Sequence, residues 1–198
     1  MKQDPIAGFI SRLETLGGIG PDPVPPDRRA LAALRRSLST WPAVPPEAVR
    51  VVAPFLPEHA TGWCEDIYYL IAALFALHHP CPSNNESGRG PSLGRALKLA
   101  VAREKARGSD TNGPERRLLA LLGCKSEDLP NHLRHAVTYL RALDVSIDYR
   151  RLMRDLFRWD SVKGDVQRLW GRYFWSGTVE ENRQKSAESV VEENSHVH

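Results

Sequence analysis

Arginine is the residue type whose number and spacing in this chain could do chemistry, and that chemistry is the binding of phosphate. Between Arg89 and Arg172 the sequence has 18 Lys/Arg against 10 Asp/Glu, while the whole 198-residue chain carries only +3. A guanidinium is always charged and presents a fork of donors that matches two phosphate oxygens. The spacing puts these charges in rows. Arg134, Thr138 and Arg141 share one helix face, and Arg151, Arg154 and Arg158 recur at i, i+3, i+7. Arg95, Lys98 and Lys105 fall on one side of another predicted helix, Arg116 and Arg117 are adjacent, and Arg28, Arg35 and Arg36 lie off an apolar stripe. Such rows can follow a phosphate backbone, because each contact releases condensed counterions without reading sequence.

The plainer alternative for a single arginine is a solvated face with local pairing, for example Arg151 with Asp155, or Arg168 and Arg172 with Asp165. Surface pairs stabilise little, so they do not account for so unbalanced a set. Trp159, Trp170, Tyr173, Phe174 and Trp175 could stack on unpaired bases. Val166, Leu169, Trp170 and Tyr173 nevertheless have the spacing of a core-facing stripe, which favours packing for Trp170 and leaves Trp175 open.

Catalytic and metal-binding patterns are weaker. His78-His79-Pro80-Cys81 gathers potential ligands, and His132 and His135 could share a face, but no spacing converges the three or four ligands that zinc needs. Glu65-Asp66 are adjacent, so on a helix they point apart and have no evident partner base. Two-metal nuclease chemistry would want separated carboxylates around a cleft. Gly88-Arg89-Gly90-Pro91-Ser92 precedes a helix whose amides could hold a phosphate, yet it lacks the Gly-Lys-Ser/Thr ending of a Walker loop. Neither catalysis, a metal nor a cofactor is expected.

The elements that must position the arginines read as helices throughout. Asp4-Pro5 opens a helix to about Leu16, and Asp27 caps a second with Leu31, Leu34 and Leu38 on its inner side. Pro45-Pro46-Glu47 begins a short third helix ending near Pro54, and Trp63 to His79 is an almost wholly apolar fourth. After a Pro/Ser/Asn/Gly connector from Pro80 to Pro91, the pattern predicts helices over Ser92–Arg107, Pro114–Leu122, Asn131–Leu143, Asp148–Trp159 and Lys163–Trp175. No stretch alternates as a strand would. The expected fold is all-α, a two-lobe bundle of eight to nine helices, with lobes over 1–88 and 89–175. The tail over 176–198 has five Glu against two Lys/Arg and a composition that predicts disorder.

Cys64, Cys81 and Cys124 are odd in number and lack a Cys-x-x-Cys pair, which suits a reducing cytoplasm better than a disulfide framework. Met1 to Pro5 has no apolar signal core, and the longest apolar run, Ile67 to Leu77, is far short of the ~20 residues that cross a bilayer.

Several motifs, taken in order, carry a resemblance. They are Ser92-Leu93-Gly94-Arg95-Ala96-Leu97, Glu115-Arg116-Arg117-Leu118-Leu119-Ala120-Leu121-Leu122, and Leu133-Arg134 with Leu140. Ile147-Asp148-Tyr149-Arg150-Arg151-Leu152-Met153 and Asp155-Leu156-Phe157-Arg158-Trp159 complete them. Their order and spacing resemble CasB, the small-subunit family of the type I-E CRISPR interference complex called Cascade. The resemblance covers Arg89 to Trp175; in the N-terminal half it rests on Leu34-Arg35-Arg36 and the apolar helix from Tyr69 to Leu77. It implies a non-catalytic, all-helical, two-lobe subunit present as a pair with a second copy of itself. It also implies contact with the guide-RNA ribonucleoprotein and the other Cascade subunits, and a hold on opened target DNA, especially the displaced strand. Carried over position by position, the contacts implied are Arg35, Arg36, Arg95, Arg116, Arg117, Arg134 and Arg141. The runner-up from the residues alone is a helical adaptor whose basic faces dock on acidic protein partners.

Overall fold

The computed structural model describes residues 4–19, 24–78 and 90–176. Among them every regular element is helical: α1 Pro5–Leu16, α2 Arg28–Thr40, α3 Pro46–Val52 with a 3-10 turn at Ala53–Phe55, α4 Trp63–His78, α5 Leu93–Ala106, α6 Asn112–Gly123, α7 Leu129–Ala142, α8 Tyr149–Phe157 and α9 Asp165–Trp175. The all-α expectation of eight to nine helices holds. The connector over 79–89 and the acidic tail beyond Ser176 lie outside the described residues.

Local chemistry sets the helix starts. The Asp4 carboxylate accepts the Ile6 N–H (3.1 Å), that of Asp27 accepts Ala30 N–H (2.9 Å), and that of Asp148 accepts Arg151 N–H (2.9 Å). Each satisfies one donor that the first turn cannot pair within the helix. Proline stands in the first turn of α1, α3 and α7, where no N–H is missed. Four extents differ from the sequence reading. Helix α6 opens two residues early at Asn112, α7 opens at Leu129 with Pro130 inside its first turn, and α8 stops at Phe157 so that Trp159 turns back into the core. The last is α9, which opens at Asp165 after Gly164 and not at Lys163.

Helix α4 is the spine. Ile67 to Ala76 are all buried, which an amphipathic surface helix could not sustain. The reason is packing on several sides: α2 and α3 cover it from the N-terminal half, α7 and α8 from the C-terminal half. Tyr149 donates its hydroxyl to the Leu74 carbonyl (3.0 Å), and a ring nitrogen of His78 meets the Val145 carbonyl at 2.9 Å. The second layer is α5 against α9 and α6, with α6 also on α7. Helices α5 and α9 meet backbone to backbone: a Cβ added to Gly94 would sit 2.4 Å from the Trp170 carbonyl oxygen. Only glycine permits that approach.

Behind this seam Trp159 and Trp170 pack at 5.0 Å between ring centroids, and the Trp170 indole N–H donates to the buried Asp155 carboxylate (2.7 Å). Burial raises the Asp155 pKa, against the opposing pull of the Trp170 hydrogen bond and of Arg151 and Arg158. The folded state therefore holds a proton here more tightly than the unfolded chain, so this group's linkage makes stability rise as pH falls toward its ordinary value. Asp155→Asn should remove that contribution. Denaturant melts between pH 7 and pH 4 are expected to show wild type gaining on the Asn variant as pH drops. A constant difference would mean that Asp155 titrates like an exposed carboxylate.

Candidate nucleic-acid interface

The helices that carry the arginine rows turn their apolar sides into one core. Leu31, Leu34 and Leu38 of α2, Leu93, Ala96, Leu97 and Ala100 of α5, and Leu133, Val137 and Leu140 of α7 are all buried. The intervening basic residues are thereby forced outward, and Arg28, Arg35, Arg36, Arg95, Arg116, Arg134, Arg141 and Arg154 are exposed. Lys98, Arg117 and Arg151 are half-buried.

Their surroundings divide them. Arg28, Arg36 and Arg95 make no side-chain hydrogen bond, ion pair or ring contact among the described residues. Arg35 Nε donates only to the Leu31 carbonyl of its own helix (3.2 Å). Arg134 reaches from α7 to the Leu38 carbonyl in the last turn of α2 (3.4 Å), and Arg141 to the Leu77 carbonyl in the last turn of α4 (3.0 Å). Those carbonyls have no partner inside their own helices, so two α7 arginines close two helix ends. Each contact occupies one of five guanidinium donors and leaves the rest to solvent. It also brings Arg134 to the end of the helix that carries Arg35 and Arg36.

The remaining members are held more firmly. Arg117 lies over the Tyr139 ring, 3.9 Å from its centroid, and donates to the Gly113 carbonyl (2.9 Å). Tyr139 in turn donates to Glu104 (2.7 Å), and burial together with that hydrogen bond pushes its hydroxyl pKa up to about 12. Arg151 donates to the Tyr173 hydroxyl (2.9 Å) and lies 4.9 Å from the centre of that ring. Arg154 pairs with Asp4, whose carboxyl is held below its usual range chiefly by that hydrogen bond. Lys98 donates to the Ser176 carbonyl at the end of α9, and Arg116 lies 3.6 Å from Asp110 in an exposed pair.

The local pairs expected from sequence are replaced by others. Asp155 meets Trp170, and Asp165 meets Arg158 across a joint at 3.8 Å rather than Arg168 or Arg172. Base stacking on Trp159, Trp170 and Phe174 is ruled out by their burial, at 2%, 0% and 7% exposure. The inner face of α9 is Val166, Trp170 and Phe174, with Leu169 and Tyr173 only half-buried at its edges. Trp175 is exposed and donates its N–H to Glu115 (3.1 Å).

One basic cluster joins Arg158, from a row read in the sequence, to two arginines outside those rows. Arg158, Arg168 and Arg172 line an open cavity of about 420 Å³ with Asp165 and Leu169. The i, i+4 spacing of Arg168 and Arg172 was a visible signal; the approach of Arg158 was not. No group of three or more His, Cys, Asp or Glu that could hold a metal occurs among the described residues. Glu65 and Asp66 sit half-buried in the first turn of α4, and burial, reinforced by Glu65, raises the Asp66 carboxyl pKa. His79, Cys81 and Gly88-Arg89 lie outside the described residues, and Ser92 is buried without capping α5. No helix among the described residues is long and apolar enough to cross a membrane.

These features define an all-α protein with a shared core and arginines presented from several of its helices. The chain belongs to the CRISPR-associated protein Cse2 family, whose sequence profile matches residues 30–175. It is 37% identical over 164 residues to the CRISPR-associated protein Cse2 of Thermus thermophilus, a match covering 81% of this chain and 87% of that one. Its fold is similar to the crystal structure of CasB from Thermus thermophilus (TM-score 0.67, 31% identity, 88% of this chain and 100% of the other). It is equally similar to a chain of a CRISPR RNA-guided surveillance complex (TM-score 0.67, 30% identity, 91% and 97% covered). The resemblance read from the motifs between Ser92 and Trp159 is thereby established, and the match extends into the N-terminal half.

Proposed function

We propose that this chain is a non-catalytic, nucleic-acid-binding subunit of a CRISPR RNA-guided interference complex, where it steadies opened target DNA and the displaced strand. The observation that carries this reading is the partition of α2, α5 and α7, each with its aliphatic side in the core and its arginines outside. Arg28, Arg36 and Arg95 have no protein partner among the described residues, and a similar chain occurs in an RNA-guided surveillance complex. Opening a duplex against a guide is a near-balanced exchange, so sequence-tolerant backbone contacts suffice to tip it. No active site is needed for that task.

In this reading the partners are the guide-RNA ribonucleoprotein, the other Cascade subunits, target DNA and a second copy of the chain, in the cytoplasm. The halves 1–88 and 89–175 act as two lobes joined through α4. Arg28, Arg35, Arg36, Arg95 and Arg134 form the working surface, with Lys98, Arg116 and Arg141 beside it. Arg117, Arg151 and Arg154, held by Tyr139, Tyr173 and Asp4, shape the surface more than they touch phosphate.

Fluorescence titration with labelled single-stranded DNA at stepped salt tests the reading. For about six phosphate contacts the affinity should fall roughly 300-fold between 50 and 200 mM salt, with little dependence on base sequence. A salt-independent affinity, or none at 50 mM, would instead point to docking on protein partners.

A further inference from the structure

A groove of about 510 Å³ lies among α1, α2 and α3, and its lining includes none of the arginines assigned above to nucleic acid. Each of the three helices sends one arginine to it: Arg12, Arg29 and Arg50. All three are exposed, and none makes a side-chain hydrogen bond, ion pair or ring contact among the described residues. Two carboxylates share the rim. Asp27 is already engaged by the Ala30 N–H at 2.9 Å, and Glu47 sits in the first turn of α3. The floor is apolar, formed by Leu16, Val51 and Phe55, with the Phe55 ring packed 5.6 Å from that of Phe9.

An occupant that satisfies both rim and floor must be anionic and apolar at once. A bare phosphodiester strand would meet the guanidiniums and leave the floor wet. An acidic peptide with aliphatic residues covers both, since burying apolar area adds to the charge pairing. The chain itself contains such a stretch, Glu188-Ser189-Val190-Val191-Glu192-Glu193. Val179-Glu180-Glu181 is the shorter counterpart, with one valine and two carboxylates only three to five residues past Ser176, against two valines and three carboxylates here.

The tail's length sets how far the segment can reach. The tail departs at Ser176, whose carbonyl is held by Lys98. Fourteen residues separate Ser176 from Val190, an extended reach of about 46–50 Å. A fold of this size is about 40 Å across. A tether keeps the segment close to its own groove and so favours docking over that of a free peptide. We propose that the groove among α1, α2 and α3 is the docking site of the chain's own acidic segment Glu188–Glu193, bound in cis.

The test titrates full-length protein with a fluorescent peptide of residues 184–198. Wild type should bind the peptide at least tenfold more weakly than a full-length variant carrying Glu188→Lys, Glu192→Lys and Glu193→Lys, whose own tail no longer competes. Adding Arg12→Glu, Arg29→Glu and Arg50→Glu to that variant should abolish binding. A peptide with the same three Glu→Lys changes should bind a full-length variant that has the Arg→Glu groove and the native acidic tail, which a misfolded protein would not do. Equal binding by wild type and the tail variant, peptide binding that survives reversal of the groove, or failure of the charge swap would each refute the proposal. Self-competition that grows with protein concentration would place the tail on a neighbouring copy and refute docking in cis.

Discussion

Trp170→Ala is expected to lower the unfolding free energy by about 3–5 kcal/mol, the range for emptying a large aromatic site in a core. Three features place it at the upper end. The side chain is fully buried, its ring packs on Trp159 at 5.0 Å, and its N–H is the hydrogen-bond donor to the buried Asp155 carboxylate. Removing the indole therefore opens a cavity and also leaves a carboxylate without its partner, an added cost of about 1–3 kcal/mol that fuller hydration can partly offset. The neighbourhood cannot collapse easily, because the Trp170 backbone already touches Gly94. Trp170→Phe separates the terms: it keeps most of the apolar bulk and removes the donor. Urea denaturation should rank wild type above Phe and Phe above Ala, while Trp175→Ala stays within about 1 kcal/mol of wild type. An Ala variant as stable as wild type that had lost DNA binding would move Trp170 from the core to the interface.

How far these placements were legible in the sequence depends on the range over which each signal acts. Helix periodicity is local, so the Leu133, Val137 and Leu140 stripe and the caps at Asp4 and Asp27 could be read directly, while Asp148 reads only as a helix start. Trp159 could not. It lies two residues past the end of α8, and where no period applies only the tertiary turn decides that the ring points inward. The arginine rows were visible as charge, but their division was not. Arg134 and Arg35 differ little in local sequence, yet one reaches a carbonyl 96 positions away and the other its own helix. Arg117 looked like its neighbour Arg116 until Tyr139, 22 residues on, supplied the ring beneath it. The groove arginines Arg12, Arg29 and Arg50 sit on three elements, and nothing in their spacing signals that they converge.

That division of the arginines sets the second large effect, on binding rather than stability. Arg35→Glu with Arg36→Glu should weaken single-stranded DNA binding on the order of 10- to 100-fold at moderate salt. Losing two phosphate contacts should also lower the slope of log affinity against log salt by about 1.4. Stability should move by less than about 1 kcal/mol, because both side chains are exposed and the sole fixed contact is the one from Arg35 to Leu31. Arg117→Ala should do the opposite. Its guanidinium is half-buried on Tyr139 and bonded to Gly113, so its loss removes a cation–π contact worth about 0.5–2 kcal/mol and a hydrogen bond, with little change in the salt slope. In the reconstituted complex the α2 double variant should reduce formation of the open DNA complex and leave guide binding by the other subunits intact. Both variants can be scored in parallel by thermal melt and by titration. If Arg117→Ala proved to be the one that lost DNA at unchanged stability, while reversal at Arg35 and Arg36 had no effect on binding, the working surface would lie around α6 and α7 and not on α2.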